Sequence, residues 1–174
     1  GLSGGAYTMQ LSTASIASNY STKIYDGDVV VRVAAGGIEK AAPGTSVVDG
    51  VFWGCKYVSV ATGDTRFSRM WPGGDAQSGS VEAYIIDDPF AIFEVQATTG
   101  PITAADVGAN VQFTVGTGND YTQMSGASVG SPAVTATLPF RVVSVNIFGS
   151  DVTSAYNRVR VVFNNQAYRQ LTGI

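Results

Sequence analysis

Apolar and polar side chains alternate in short bursts along most of this chain. Phe93, Val95 and Ala97 alternate with Glu94 and Gln96, and Val111, Phe113 and Val115 with Gln112 and Thr114. Val159, Val161 and Phe163 stand opposite Arg158 and Arg160. A period of two puts such residues on one face of a strand. The same reading places Val134, Ala136 and Leu138 on one strand face and Val143, Val145 and Ile147 on another. A near-continuous apolar run over 29–33 lies between Asp26-Gly27 and Gly36-Gly37. The longest strand candidate covers 51–60, with Val51, Trp53, Cys55 and Tyr57 on one face and Phe52, Lys56 and Val58 on the other. Residues 61–64 supply a turn, and 65–71 form the hairpin partner, stopped by Pro72-Gly73-Gly74. A further strand over 81–86 ends at Asp87-Asp88-Pro89, and the polar, Gly-rich stretch 121–131 reads as a long loop. Thr103 followed by Asp106 is a helix-start signal, which Gly108 limits to one turn.

These segments predict an all-β domain over 23–174: a single antiparallel β-barrel or sandwich of about nine short strands, with no helix long enough for a parallel crossover. Residues 1–22 are set apart, since they carry no charge and no sustained period. They predict an extended N-terminal arm, with a reach of about 70 Å at about 3.3 Å per residue. Its Leu2, Tyr7, Met9, Leu11, Ile16 and Tyr20 read as side chains that seek pockets, in a partner or on the chain's own body.

Composition agrees with the strands. The chain has 23 Val and 9 Ile against 4 Leu, which suits pleated sheet over helix. It excludes several chemistries too. With no His, neither Ser-His-Asp nor Cys-His catalysis is open, nor are the usual zinc sites. One Cys allows no internal disulfide. A net charge of −3 with 3 Lys argues against sequence-independent nucleic-acid binding. No apolar run is long enough for a membrane-spanning helix, and no secretory leader is expected.

The remaining candidates have plain readings. Asp87 and Asp88, as strand neighbours, point to opposite faces and predict a strand end with side-chain turn bonds rather than an acid–base pair. Asp26 and Asp28 flank a turn Gly without the rest of a calcium loop. Cys55 has nothing nearby to activate it and reads as a buried, inert thiol. Trp53, Tyr57 and Trp71 are packing residues or, on the second reading, a sugar-stacking platform. The Gly-rich turns lack the Lys-Ser/Thr pair of a phosphate cradle. The expectation is a non-catalytic, partner-binding protein without metal or cofactor.

Several segments, taken in order, resemble one family. They are Ile24-Tyr25-Asp26-Gly27-Asp28-Val29-Val30, then Gly50-Val51-Phe52-Trp53-Gly54-Cys55-Lys56-Tyr57, then Trp71-Pro72-Gly73-Gly74. Tyr84-Ile85-Ile86-Asp87-Asp88-Pro89, Phe93-Glu94-Val95-Gln96 and Ile102-Thr103-Ala104-Ala105-Asp106-Val107-Gly108 follow. Over roughly 24–113 the chain resembles the decoration, or cement, proteins of tailed-bacteriophage heads. The resemblance implies a structural virion protein, made in the host cytoplasm, on the outer surface of an icosahedral capsid. Its implied partners are the major capsid protein and its own copies, with a trimer favoured, and neither nucleic acid nor membrane. The alternatives are a carbohydrate-binding β-sandwich module using exposed aromatics, a different virion role, and a hydrolase built on carboxylates such as Glu82 and Glu94.

Overall fold

The protein is described from a computed structural model over residues 11–145 and 147–171. Its strands are β1 (Leu11–Ala14), β2 (Val29–Arg32), β3 (Ile38–Lys40), β4 (Gly50–Val58), β5 (Thr65–Ser68) and β6 (Glu82–Ile86), then β7 (Ile92–Gln96), β8 (Asn110–Thr114), β9 (Ser128–Ala133), β10 (Phe140–Ser144) and β11 (Arg158–Phe163). All their pairings are antiparallel. They form two sheets in a sandwich-like arrangement, ordered β1-β6-β4-β2-β3, with β5 also on β4, and β7-β11-β10-β8-β9. The chain fills one sheet before starting the other, and it crosses at Asp87-Asp88-Pro89.

Each sheet curls until its edge strands meet, which protects edges that would otherwise pair with other chains. In the first, Ile38 N donates to Ser15 O (2.8 Å), joining the end of β1 to the start of β3. In the second, Ala97 bridges Val129, and Thr98 N donates to Val129 O (3.1 Å). The first curl encloses Ile16, Ile24, Phe52, Tyr57, Trp71 and Ile85. The second encloses Phe113, Phe140, Val142, Val159, Val161 and Phe163, and it borrows Val29 and Val51 from the first sheet and Val48 from the connection between β3 and β4. Phe93 meets Phe163 edge to face at 5.1 Å, and Phe140 stacks on Phe163 at 5.4 Å.

Gln166 clasps the two sheets together. Its backbone bridges Val48, and its fully buried side chain donates from Nε2 to Asp49 O (2.9 Å) and Asp87 O (2.8 Å). One amide thereby satisfies two carbonyls, one just before β4 and one at the crossing point.

Several details differ from the sequence reading, each for a local reason. Leu11–Ala14 is a strand on β6, so among the described residues the body begins at Leu11 rather than at Lys23. Sequence pattern alone could not place this segment, because its partner strand lies far along the chain, Leu11 facing Ile86 and Ala14 facing Ala83. The register of β4 against β6 shifts between Phe52 and Gly54, a bulge that takes up Trp53. One extra residue reverses the alternation. Phe52, Cys55 and Tyr57 therefore share the buried face, and Trp53 lies outside. A second bulge between Val142 and Ser144 in β10 buries Val142 and Val145 and leaves Val143 outside. The strand expected at 134–138 falls instead on Ser128–Ala133, which overlaps the end of the expected loop. This is an edge strand, where Pro132 is tolerated, and Val129 supplies its buried contact.

The turn expected at Thr103 forms over Ala104–Asp106. There Asp106 Oδ2 accepts from Thr103 N (2.7 Å) and Thr103 Oγ1 (2.8 Å). Cys55 is buried, with Sγ 3.4 Å from Met70 O, and burial pushes its thiol up to about 12. With so little thiolate present, Cys55 in the folded chain at pH 8 should react with a disulfide reagent at least about 100-fold more slowly than in the unfolded chain. Stopped-flow absorbance with and without denaturant reads this directly, and similar rates would contradict the burial.

Candidate interaction surfaces

Two surfaces combine exposed apolar side chains with a rigid base. The first is the connection from β10 to β11, residues 145–157. Connections of this length inside a small domain are uncommon and tend to carry function. Its root is fixed. Val145 and Ile147 are buried, and so is Asn157, whose side chain donates to Ile102 O (2.8 Å) and accepts from Ile102 N (3.1 Å). Arg158 ties the loop to β7 through Glu94 (2.8 Å), donates from its guanidinium to Phe148 O (3.3 Å), and donates from its backbone to Ser150 Oγ (2.9 Å).

The middle of the loop is organised by Asp151, whose Oδ1 accepts from Thr153 N (2.9 Å) and Thr153 Oγ1 (2.7 Å). These bonds favour the ionised form and hold the Asp151 carboxyl below its ordinary range. On this frame Phe148, Val152 and Tyr156 all stand exposed. Isolated surface apolar residues are ordinary, but three exposed on one braced loop mark it as a candidate for protein contact.

The second surface is the outward face of the first sheet. Trp53 on β4, Phe67 on β5 and Tyr84 on β6 line one hollow of about 370 Å³ with Ser68, Arg69 and Gln123. Trp53 is 44% exposed and Phe67 76%. Lys56 pairs with Glu82 at 3.1 Å, and Arg69 pairs with Asp26. Gln123 Oε1 accepts from Arg69 N (3.0 Å).

The sequence-derived site residues fare differently. Leu2, Tyr7 and Met9 lie outside the described residues. Leu11 is half-buried in β1. Ile16 is in the core, and Tyr20 is held by the body: its hydroxyl accepts from Lys40 N (3.1 Å) and its carbonyl from Trp71 Nε1 (2.9 Å). The pockets sought by Ile16 and Tyr20 are thus the chain's own. Of the three aromatics considered for stacking, Tyr57 and Trp71 are buried and meet edge to face at 5.7 Å. Only Trp53 faces solvent. Phe67 and Tyr84 are its actual neighbours, and pairing of β5 and β6 with β4 is what brings them there. The 145–157 loop escaped the sequence reading because Phe148, Val152 and Tyr156 look no different in one dimension from core residues.

The acidic candidates are structural. Asp88 Oδ1 accepts from Phe90 N (2.9 Å), the expected turn bond. Asp87 is buried and accepts from Ser12 Oγ (2.7 Å) and Tyr168 Oη (3.0 Å). Asp28 is buried against Lys40 (2.8 Å), whereas Asp26 faces Arg69. Glu82 and Glu94 lie on different sheets, each in its own ion pair. Among the described residues no group of three or more His, Cys, Asp or Glu could hold a metal ion. Among the described residues no helix is long and apolar enough to cross a membrane. Comparison with protein-family models, with curated proteins and with solved structures yields no match.

Proposed function

We propose that this chain is a structural, non-catalytic virion protein that binds the outer surface of an icosahedral phage head and cements contacts between major capsid subunits. The observation that carries the reading is the braced 145–157 loop, which holds Phe148, Val152 and Tyr156 in solvent on a base fixed by Asn157 and Arg158. Preorganised apolar side chains bind a protein surface with little ordering cost. The ordered segments over 24–113 support the same assignment. As a homo-oligomer, with a trimer favoured, the chain would hold several shell sites at once, so modest individual contacts would add up through effective concentration.

The test uses the full chain and shells that lack it. Phe148→Ala with Tyr156→Ala should weaken cosedimentation with shells by at least about 30-fold, the scale of a lost hot spot, while leaving the melting temperature unchanged. Equal binding by the variant would remove the loop from the interface.

A further inference from the structure

The aromatic hollow of the first sheet is untouched by that role, and its construction points to a ligand. Trp53, Phe67 and Tyr84 stand on three adjacent strands, β5, β4 and β6. Strands repeat at about 4.8 Å. An extended β-linked sugar chain advances by a similar distance per pyranose unit, so such a chain laid across the strands would pass over all three positions. Two features show that the site is built at some cost to regularity. A bulge within β4 is what leaves Trp53 outside, where a regular alternation would bury it with Cys55 and Tyr57. Gln123, on the rim, is the one non-glycine residue with positive φ (60°) among the described residues, a conformation that persists only where its surroundings hold it.

The polar rim suits hydroxyl groups. Gln123 is fixed through Oε1 by Arg69 N and Ser68 Oγ, and its Nε2 donors have no partner among the described residues. The nearby charges cancel in pairs, Lys56 with Glu82 and Arg69 with Asp26. The site therefore carries no net charge to attract an acidic ligand. We infer that this face binds a neutral, extended, β-linked oligosaccharide that lies across β5, β4 and β6, with pyranose faces on Trp53, Phe67 and Tyr84.

The two tryptophans make the test direct, because Trp71 is fully buried and acrylamide quenching therefore reports Trp53. The full chain is titrated with cellohexaose and with chitohexaose up to about 1 mM. Saturable protection of Trp53 by at least one hexaose is the expected result. Phe67→Ala and Tyr84→Ala should each weaken it by about 3- to 10-fold with no change in melting temperature. If neither hexaose protects Trp53, or if both variants bind as tightly as the parent chain, the inference is overturned. Protection by phage shells without protection by either hexaose overturns it too and makes this face a protein-docking surface. Head binding through the 145–157 loop stands or falls separately, on the Phe148 and Tyr156 variants.

Discussion

Trp71→Ala should destabilise the chain by about 3–5 kcal/mol, a large part of the stability of a domain this size. The side chain is fully buried in the first sheet's core, packs edge to face on Tyr57, and donates from Nε1 to Tyr20 O (2.9 Å). Its backbone pairs in both directions with Ile24, at 2.7 and 3.2 Å. Truncation opens a large cavity and leaves the Tyr20 carbonyl without its donor. The core beneath it is contributed by segments far apart in sequence, so little can move in to refill the space. Trp53→Ala, by contrast, removes a half-exposed ring and should change stability by less than about 1 kcal/mol. Urea unfolding of the two variants separates them, and similar losses would contradict the assignment of one tryptophan to the core and the other to the surface.

Asp28→Ala should cost a similar amount, about 3–5 kcal/mol, for an electrostatic reason. Asp28 is 1% exposed and accepts from Lys40 Nζ (2.8 Å), Tyr25 N (2.8 Å) and Ser125 Oγ. Removing the carboxylate strands a largely buried ammonium and two further donors. Lys40 also lies 5.5 Å from the centre of the Tyr25 ring, and Gly118 packs against that ring so closely that a Cβ there would come within 2.2 Å of it. One carboxylate thus ties β2, β3 and the 115–127 segment together. Pairing Asp28→Ala with Lys40→Met removes the stranded charge and should recover part of the loss, which a double-mutant cycle by urea unfolding measures. If the double variant is as unstable as the sum of the two single ones, the ion pair is not what Asp28 supplies.

The same neighbourhood predicts an alkaline limit. Tyr25 donates to Asp120 (2.7 Å), and that bond, with burial and the Asp120 charge, pushes its phenol up to about 12. The folded state therefore holds this proton more tightly than the unfolded chain. The contribution is complete below about pH 10 and is lost as pH rises through about 12.

Local pattern carried the strand content well. Val159, Val161 and Phe163 are buried as their alternation with Arg158 and Arg160 implies, and Thr103–Asp106 makes its single turn. Pattern failed where one residue changes the phase. The bulges at Trp53 and Val143 shift which side chains face inward, and alternation has no means of announcing them. For the first, Gly54 in the middle of an apolar strand was the available signal, since such a glycine marks a bulge or a close backbone approach. A Cβ at Gly54 would sit 3.0 Å from Ser68 O. Both candidate surfaces were illegible for a different reason. Trp53, Phe67 and Tyr84 meet only through pairing across three strands, and Phe148 differs from the buried Phe140 only in what surrounds it. Buried polar residues such as Asp28 and Gln166 likewise take their meaning from partners 97 and 117 residues away.

Cementing of phage heads is tested most directly by their heat stability. Shells stripped of this protein are incubated with the purified full chain, sedimented, and heated while release of packaged DNA is followed by dye fluorescence. A cementing role would give saturable binding at a fixed ratio to the major capsid subunit and a higher release temperature for decorated shells. Absence of cosedimentation, or binding that leaves the release temperature unchanged, would contradict a cementing role.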